Sequence, residues 1–310
     1  MAARLLDGEA VARAIRQEVA SDIARLLAHG RPRPKLAVVL AGADPASEIY
    51  VRNKIKACGE VGIESELVRF EGERDAGRTL EAVQRLNRRD DVDGILVQLP
   101  LPADADKTGI LHALDPAKDV DGLHPENVGR MVEGSDSLRP CTPSGIMELL
   151  RRCEIPIEGA RAVVLGRSDI VGKPMAILLL HASATVTICH SRTRDLAETT
   201  RDADILVAAL GKPGFVTEEY LRPGVVVVDV GIHRITDVRQ AEELFGPSSK
   251  QAEAVRRGGS ALVGDVHPRR AGPVAGALSP VPGGVGPLTI ACLLQNTVKA
   301  ARRRGGTEAR

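Results

Sequence analysis

Apolar residues near the start of the chain recur at the spacing of an α-helix. Residues three or four positions apart share one face of a helix. The residues that keep this spacing are Val11, Ile15, Val19, Ile23 and Leu26. Asp7 is the expected N-cap, because its short acceptor side chain satisfies free N–H groups of the first turn. Gly30 is the expected end, since glycine adopts the left-handed conformation that closes many helices.

Short apolar runs then alternate with helical segments. The pattern predicts strands at 36–40, 64–70 and 94–98, and helices at 47–61 and 76–87. A β-α-β-α-β order implies a mostly parallel sheet with helices on its faces. Ligands bind such sheets beyond the carboxyl ends of the strands, which directs attention to the residues that follow each strand.

A second and more regular series follows Pro143. Its predicted strands are 162–165, 185–189, 205–208, 225–229 and a short one at 261–263, separated by helices at 174–182, 195–201 and 218–221. This alternation predicts a second doubly wound α/β unit. The polar stretch 236–259 predicts a surface excursion with one weak helical patch.

A last helix is predicted at 287–300, after a glycine-rich turn. Its apolar faces need a partner, and packing back on the first domain is the natural choice. We therefore expect one domain formed by 1–142 plus 286–310 and a second formed by 143–285.

Composition and charge narrow the class of protein. The chain has 310 residues, enough for two domains, and its 43% hydrophobic and 27% charged residues are typical of a globular protein. Forty-two basic residues face 41 acidic ones, and aromatic residues make up only 2%, so we expect no nucleic-acid partner. No apolar stretch indicates a signal peptide or a membrane span. The five cysteines lack metal-ligand spacing, so we expect reduced thiols, no metal and a cytoplasmic location.

Tyr50 and Lys54 are the first candidates for chemistry. They lie four residues apart in the predicted helix 47–61, so both side chains are on one face. The start of that helix and Gln98 both fall at carboxyl ends of predicted strands. A lysine exchanges protons near neutral pH when its ammonium form is destabilised. Taken alone, a surface lysine and a half-buried tyrosine are the commoner outcome.

The segment 166–174 (GRSDIVGKP) follows a predicted strand and opens a helix. Its glycines and Ser168 permit the tight turn by which such segments approach a diphosphate. The fingerprint is incomplete, because Ser168 replaces the usual middle glycine, and a strand-turn-helix without a ligand stays an alternative. The next strand ends without the carboxylate that binds the ribose 2′-hydroxyl of NAD. Arg167, Ser191 and Arg192 could donate to a 2′-phosphate, so we predict NADP.

Seven stretches in a fixed order span nearly the whole chain. They are 50–63 (YVRNKIKACGEVGI), 93–102 (DGILVQLPLP), 116–122 (PAKDVDG), 140–146 (PCTPSGI), 166–174 (GRSDIVGKP), 184–193 (ATVTICHSRT) and 280–289 (PVPGGVGPLT). Together they resemble the bifunctional methylenetetrahydrofolate dehydrogenase/cyclohydrolase family, FolD. The resemblance implies two doubly wound α/β domains around a cleft, of which the first binds folate and the second is a Rossmann-type NADP-binding domain.

The resemblance also implies an activity and a set of site residues. Tetrahydrofolate derivatives would be the substrates. NADP⁺ would oxidise 5,10-methylenetetrahydrofolate, and the methenyl product would be hydrolysed to 10-formyltetrahydrofolate in the same cleft. The resemblance further implies a homodimer. By motif, Lys54 is the central catalytic group of the hydrolysis, Gln98 and Tyr50 assist it, and Asp121 anchors the pterin. Further implied substrate residues are Val97, Leu99, Pro282 and Gly283. The implied cofactor residues are Gly166, Arg167, Ser168, Ser191 and Ile232.

These roles agree with the chemistry of the side chains. The methenyl substrate is a cation, so it disfavours a neighbouring ammonium and favours the neutral amine of Lys54, which can accept a proton from water. Gln98 can hydrogen-bond that amine without adding charge. The two oxygens of Asp121 match the N–H and amino donors of a pterin.

Some positions depart from the family pattern. His267-Pro268 stands where an aspartate and an aromatic residue are expected, Ser279 replaces a threonine, and the segment between Ile232 and Gly264 is longer than usual. Three other functions stay open: a dehydrogenase with little cyclohydrolase activity, a catalytically silent folate-binding or scaffold protein, and an amino-acid or shikimate dehydrogenase. The presence of Lys54 and Gln98 argues against the silent protein.

Overall fold

The computed structural model describes residues 3–70 and 76–304. The helices along these residues are α1 (Gly8–Ala28), α2 (Pro45–Val61), α3 (Ala76–Asn87), α4 (Lys107–His112), α5 (Pro125–Glu133), α6 (Cys141–Arg152), α7 (Gly172–His181), α8 (Leu196–Arg201), α9 (Val238–Phe245), α10 (Lys250–Arg256) and α11 (Val285–Arg304). The strands are β1 (Arg4–Leu5), β2 (Lys35–Ala41), β3 (Glu64–Phe70), β4 (Gly94–Val97), β5 (Arg161–Leu165), β6 (Thr185–Cys189), β7 (Ile205–Ala208), β8 (Val226–Asp229), β9 (His233–Ile235), β10 (Ala261–Val263) and β11 (Ala277–Leu278). None of these helices combines the length and the apolar character that crossing a membrane requires.

Contacts divide the chain into two compact units. The first unit comprises Ala12–Cys141 and Ile290–Arg310, and the second comprises Met1–Val11 and Thr142–Thr289. The residues at the start of the chain group with the second unit because β1 pairs with β11. The assignment of 1–142 plus 286–310 to folate and of 143–285 to NADP stays a prediction.

The first unit is built on a three-stranded parallel sheet with the order β3-β2-β4. The central strand β2 pairs with β3 along its whole length and is buried except at Lys35. A continuous apolar run of this kind is typical of a strand covered on both faces. Each fully buried Leu, Ile or Val stabilises the fold by about 1.5–3 kcal/mol. The chain leaves β2 toward β3 on one side and later enters β4 on the other, which makes the carboxyl end of β2 a topological switch point.

The second unit contains a six-stranded parallel sheet with the order β1-β11-β8-β7-β5-β6. The four longer strands agree closely with the predicted ones. β1 and β11 are two residues each, too short for a periodic pattern to reveal. In this sheet the switch point lies at β5, which has β6 on one side and β7 on the other.

The predicted surface excursion at 236–259 is wrong in one respect. The stretch forms two helices, α9 and α10, and the flanking strands β9 and β10 pair with each other in an antiparallel sheet of their own. These elements share a separate hydrophobic core whose buried residues are Ile235, Ala241, Leu244, Ala252, Val255, Ala261 and Val263. The apolar residues are few and widely spaced, but they meet because Gly246 ends α9 and the Ser249 side chain caps α10.

The pattern also fails to predict α4, α5 and α6, which lie between β4 and β5 along the chain. The first two are short, and short helices leave little periodicity. The cap of α5 is unusual, because the acceptor is the Nδ1 atom of His124, which receives the N–H of Glu126 at 3.1 Å. The cap predicted for α1 is confirmed: the N–H of Ala10 donates to Asp7 Oδ1 at 3.0 Å.

Candidate active site

Helix α2 presents Lys54 to the interior of the first unit. Asp44 caps the helix and accepts hydrogen bonds from the N–H and hydroxyl of Ser47, at 2.9 and 2.7 Å. Gly62 ends it with a φ of 90°. The buried residues of α2 are Ser47, Val51, Lys54, Ala57, Cys58 and Val61. Lys54 is therefore on the core-facing side, only 8% exposed, and a lysine buried to this extent requires a polar partner.

Gln98 is that partner. Its N–H donates to the carbonyl of Val39 at 2.9 Å, which fixes the residue at the carboxyl end of β4 beside β2. Its Oε1 accepts a hydrogen bond from Lys54 Nζ at 2.9 Å, and its Nε2 donates to the carbonyl of Leu99 at 2.5 Å. Among the described residues, no carboxylate forms an ion pair with Lys54. The switch point of the first sheet thus holds an amine and a neutral amide.

Tyr50 lies one turn before Lys54, at the rim of the same helix face. It is 38% exposed, and partial burial raises the pKa of its hydroxyl. The phenol is consequently protonated at neutral pH and available as a hydrogen-bond donor. The predicted alignment of the two side chains is kept by the helix, but they differ sharply in exposure.

Asp121 lies in the turn after the β-bridge between Ile95 and Asp119. The Cys141 thiol lies close to it and to Lys54. Burial raises the pKa of this thiol well above its usual range, the negative charge of Asp121 adds to the effect, and Lys54 opposes it. These interactions bring Lys54, Cys141 and Asp121 into one neighbourhood.

Two other predicted substrate residues, Val97 and Leu99, flank Gln98 in the chain. Val97 is 3% exposed and packs in the core beside β2, so only its backbone is available to a ligand. Leu99 is half-buried, and its carbonyl already accepts the amide of Gln98.

The turn after β5 in the second unit has the geometry of a dinucleotide-binding turn. Gly166 has a φ of 125°, and a Cβ there would lie 2.1 Å from the carbonyl oxygen of Ala209. A Cβ on Gly172 would lie 2.3 Å from the carbonyl oxygen of Gly166. Helix α7 begins at Gly172, and its N-cap residue Val171 makes no side-chain hydrogen bond. The positive end of the helix dipole lies at this turn, where it would stabilise a phosphate. Ser168 Oγ accepts the N–H groups of Val171 and Gly172 at 3.2 and 3.3 Å and so shapes the turn.

The loop after β6 lies at the same sheet edge and carries Ser191 and Arg192, both exposed, as is Arg167. Hydrogen bonds within the loop fix its shape: the N–H of His190 donates to Thr193 Oγ1 at 2.9 Å, and the N–H of Arg192 donates to His190 Nδ1 at 3.2 Å. Two exposed arginines and a hydroxyl fit a 2′-phosphate, and none of the three is the carboxylate that binds the 2′-hydroxyl of NAD.

Two buried carboxylates fix the loops on either side of Ile232. Asp229, at the end of β8, accepts three backbone N–H groups at 2.8–3.0 Å, and burial raises its pKa to about 7. Asp265 accepts the N–H groups of residues 210–212 at 2.5–3.0 Å and bonds to His233 Nε2 at 2.8 Å. Ile232 between them is 47% exposed, as expected for a residue that would contact a cofactor.

Pro282 and Gly283 belong to the second unit, whereas Lys54, Gln98 and Asp121 belong to the first. Gly283 has a φ of 99°, and its carbonyl accepts the N–H of Glu9 at 3.0 Å. This turn is therefore anchored on the start of α1.

The departures at His267 and Ser279 preserve local hydrogen bonding. His267 Nδ1 accepts the N–H of Arg269 at 3.3 Å, as an aspartate oxygen would, and burial lowers the pKa of the imidazole. Ser279 Oγ accepts the N–H of Asp229 at 2.8 Å, a bond that needs only the hydroxyl.

Two sets of residues at these sites are missing from the predicted set. Cys141 lies in a quoted motif (140–146), but a buried thiol near the charges of Lys54 and Asp121 has no sequence signal of its own. Asp229 and Asp265 each lie at or just beyond the end of a strand, and this position at the carboxyl end could have indicated them.

Comparisons with known proteins agree with this geometry. Residues 6–121 match the family model described as "Tetrahydrofolate dehydrogenase/cyclohydrolase, catalytic domain". Residues 140–305 match "Tetrahydrofolate dehydrogenase/cyclohydrolase, NAD(P)-binding domain". The "Bifunctional protein FolD" of Koribacter versatilis is 56% identical over 99% of this chain and 100% of its own length, and that of Solibacter usitatus is 54% identical over 98% and 99%.

Solved structures give the same result. The bifunctional FolD methylenetetrahydrofolate dehydrogenase/cyclohydrolase of Campylobacter jejuni is 42% identical, with a TM-score of 0.87 over 98% of this chain and 100% of that one. The Trypanosoma brucei FolD, complexed with NADP cofactor and inhibitor, is 39% identical, with a TM-score of 0.87 over 98% of both chains. The chain belongs to the tetrahydrofolate dehydrogenase/cyclohydrolase family.

Proposed function

We propose that this protein oxidises 5,10-methylenetetrahydrofolate with NADP⁺ and hydrolyses the methenyl product to 10-formyltetrahydrofolate, in one-carbon metabolism. The observation that carries the hydrolytic half is the buried hydrogen bond between Lys54 Nζ and Gln98 Oε1. A dehydrogenase alone has no need of a lysine in this position, because hydride transfer requires mainly a well-placed nicotinamide.

Lys54 is the proton acceptor of the hydrolysis in this mechanism. The methenyl cation repels an ammonium and so favours the neutral amine, which takes a proton from the water that attacks the cationic carbon. Gln98 orients the amine without a charge that would stabilise its ammonium form. The Tyr50 hydroxyl, protonated at neutral pH, can donate to the developing oxygen of the hydrated intermediate.

Asp121 binds the pterin through its two carboxylate oxygens, which match adjacent N–H donors. Pro282 and Gly283 supply further folate contacts. Val97 contributes through its backbone, and Leu99 contributes through its half-buried side chain, because its carbonyl already accepts the Gln98 amide. These assignments put the folate chemistry on 1–142 plus 286–310 and the cofactor on 143–285, apart from the turn at Pro282.

NADP⁺, when bound, accepts the hydride of the first reaction. The residues that would hold it are those of the β5 turn and the loops that follow β6 and β8. Gly166 and Ser168 would allow the diphosphate a close approach, and Arg167 and Ser191 would bind the 2′-phosphate. Ile232, exposed in the loop after β8, would contact the cofactor. The steric fit at Gly166 supports this arrangement, because any side chain there would collide with Ala209.

The protein further acts as a cytoplasmic homodimer. The five cysteines are all free, in keeping with a reducing compartment. In the second unit β6 is an edge strand, and Ile188 on it and Leu180 before it are 42% and 57% exposed. An exposed apolar edge strand is suited to pairing with a second copy of the chain.

The test of the bifunctional activity is Lys54→Met, with Lys56→Met as the matched control. Lys56 lies on the same helix, but its side chain is 77% exposed. Lys54→Met should abolish loss of the methenyl absorbance while NADPH formation continues, and NADP⁺ should be preferred to NAD⁺ in both variants. Full cyclohydrolase turnover by Lys54→Met would overturn the assignment, as would a wild type that prefers NAD⁺.

A further inference from the structure

Asn296 on helix α11 makes an unusual pair of hydrogen bonds within the first unit. Its Nδ2 donates to the carbonyl of Val120 at 2.8 Å and to the carbonyl of Arg139 at 2.9 Å. The same atom lies 3.7 Å from Cys141 Sγ, and that thiol donates to the Val120 carbonyl at 3.3 Å. One side-chain amide therefore joins three segments that are far apart in the sequence.

The two carbonyls need such a donor because the segments around them are closely packed. Gly122 has a φ of 70°, and a Cβ there would lie 2.4 Å from the carbonyl carbon of Arg139 and 2.5 Å from the nitrogen of Pro140. This irregular backbone lies outside any ladder that could satisfy the carbonyls of Val120 and Arg139. A primary amide carries two N–H donors on one nitrogen, so it can serve both carbonyls at once.

The bond to Val120 acts directly on Asp121. The carbonyl of Val120 and the N–H of Asp121 belong to one planar peptide group, so fixing the oxygen fixes the orientation in which the chain enters Asp121. Asp119, on the other side, is held by its bridge to Ile95 and by the N–H of His124, which donates to its carboxylate at 2.8 Å. Asn296 is the side chain that ties the remaining part of the turn to α11.

We propose that Asn296 is a positioning residue that holds Asp121 in the orientation required to bind the pterin. The proposal rests on the proposed function, since it takes Asp121 as the pterin ligand. Without the amide, the Val120 peptide rotates more freely and the carboxylate is misplaced. Both reactions use the same pterin site, so the affinity of the protein for both folate substrates should fall. Its affinity for NADP⁺ should stay unchanged.

The test compares Asn296→Ala with Gln295→Ala, which removes an amide from the adjacent position of α11 that donates to neither carbonyl. Alanine suits a helix interior, so α11 should be kept. The Asn296→Ala variant should raise KM for methylenetetrahydrofolate and for methenyltetrahydrofolate by about tenfold, with KM for NADP⁺ within about twofold of the wild type. The Gln295→Ala variant should change none of these constants. A lower Tm with unchanged folate KM would show a purely structural role and overturn the proposal.

Asn296→Ser retains one donor at reduced reach, and an intermediate folate KM is expected from it even if the alanine variant folds poorly. Asp121→Ala and the double variant separate this inference from the proposed function. If Asn296 acts through Asp121, its removal should have no further effect on folate KM once Asp121 is alanine. Independent, multiplying effects would overturn the positioning role. An unchanged folate KM in Asp121→Ala would instead refute Asp121 as the pterin ligand.

Discussion

The substitution Gln98→Glu should separate the two activities. It replaces the neutral partner of Lys54 by a carboxylate of almost the same size, at a position only 8% exposed. Hydride transfer needs no proton acceptor, so the dehydrogenase should remain within about tenfold of the wild type. The hydrolysis needs the neutral amine, and the new carboxylate should keep Lys54 as an ammonium.

The structure sets the size of this effect. The amide oxygen of Gln98 lies 2.9 Å from Lys54 Nζ. A unit negative charge at that distance stabilises an ammonium by about 6 kcal/mol at an effective dielectric constant of about 20. The existing hydrogen bond from Lys54 to the neutral amide and the cost of burying a carboxylate offset about half of that. The remainder of about 3 kcal/mol should reduce the population of neutral amine, and with it the cyclohydrolase rate at neutral pH, by about a hundredfold.

The assay is the loss of methenyl absorbance over a range of pH, beside NADPH formation from methylenetetrahydrofolate. In Gln98→Glu the cyclohydrolase rate should rise about tenfold for each unit of pH as the amine is freed. Gln98→Met is the control, because it removes both side-chain hydrogen bonds of Gln98 without adding a charge. If Gln98→Met and Gln98→Glu lose hydrolysis equally and neither gains it with pH, the neutral amine is not the required group.

Three further predictions concern the second unit. Because burial raises the pKa of Asp229 to about 7 from 3.8, the folded protein keeps a proton that the unfolded chain loses, so the free energy of unfolding should fall by about 4 kcal/mol between about pH 4 and pH 7. Urea denaturation of Asp229→Asn should show no such fall, and it should show lower stability near pH 5 because a backbone N–H loses its acceptor. If the unfolding free energy of the variant still falls with pH as in the wild type, another group titrates. Gly166→Ala should raise KM for NADP⁺ by at least about tenfold, because the new Cβ would meet a backbone oxygen. Gly129→Ala is the control, since open space surrounds Gly129, and it should leave this KM unchanged. The same KM for NADP⁺ in both variants would exclude a tight cofactor turn. Ile188→Glu should convert the dimer to a monomer, as measured by sedimentation. Leu67→Glu, on the exposed edge strand of the other unit, is the control and should leave the dimer intact. A monomeric wild type, or a dimer that Ile188→Glu does not affect, would reject the β6 interface.

Much of the fold and of the central pair follows from the sequence. The alternation of apolar runs and helical segments predicts two parallel sheets, and parallel sheets place ligands beyond the carboxyl ends of their strands. That rule alone brings Gln98, after β4, to the helix that follows β2. Helical spacing then places Lys54 on the core-facing side, beside residues such as Val51 and Cys58. Local periodicity and topology are sufficient here because α2 follows β2 in the chain, Gln98 follows β4, and β2 and β4 are paired.

The remaining contacts depend on packing between segments far apart in the chain. Nothing in the pattern of α11 distinguishes Asn296 from Gln295, yet only the former reaches the Val120 carbonyl, 176 residues away. Cys141 likewise meets the Val120 carbonyl and Asn296 only through the packing of distant segments. The core of α9 and α10 arises because β9 and β10 pair across 25 intervening residues, a register that no local period encodes.

Lys54 is buried and Lys118 is partly buried. Comparing the two shows that the hydrogen-bonding environment, rather than burial, marks Lys54 as the reactive lysine. Lys118 Nζ donates to the carbonyls of Leu86, Asn87 and Arg89 at 3.3, 2.8 and 2.6 Å, so all three of its N–H groups are used to close the end of α3. An ammonium held in this way is a fixed structural cation, although burial lowers its pKa. Lys54 has a single acceptor among the described residues, the amide oxygen of Gln98. Its remaining N–H positions, or its lone pair once a proton has left, stay available to a substrate. A buried amine with one neutral partner is the arrangement that a proton acceptor needs, and the second reaction of this family is the one that uses it.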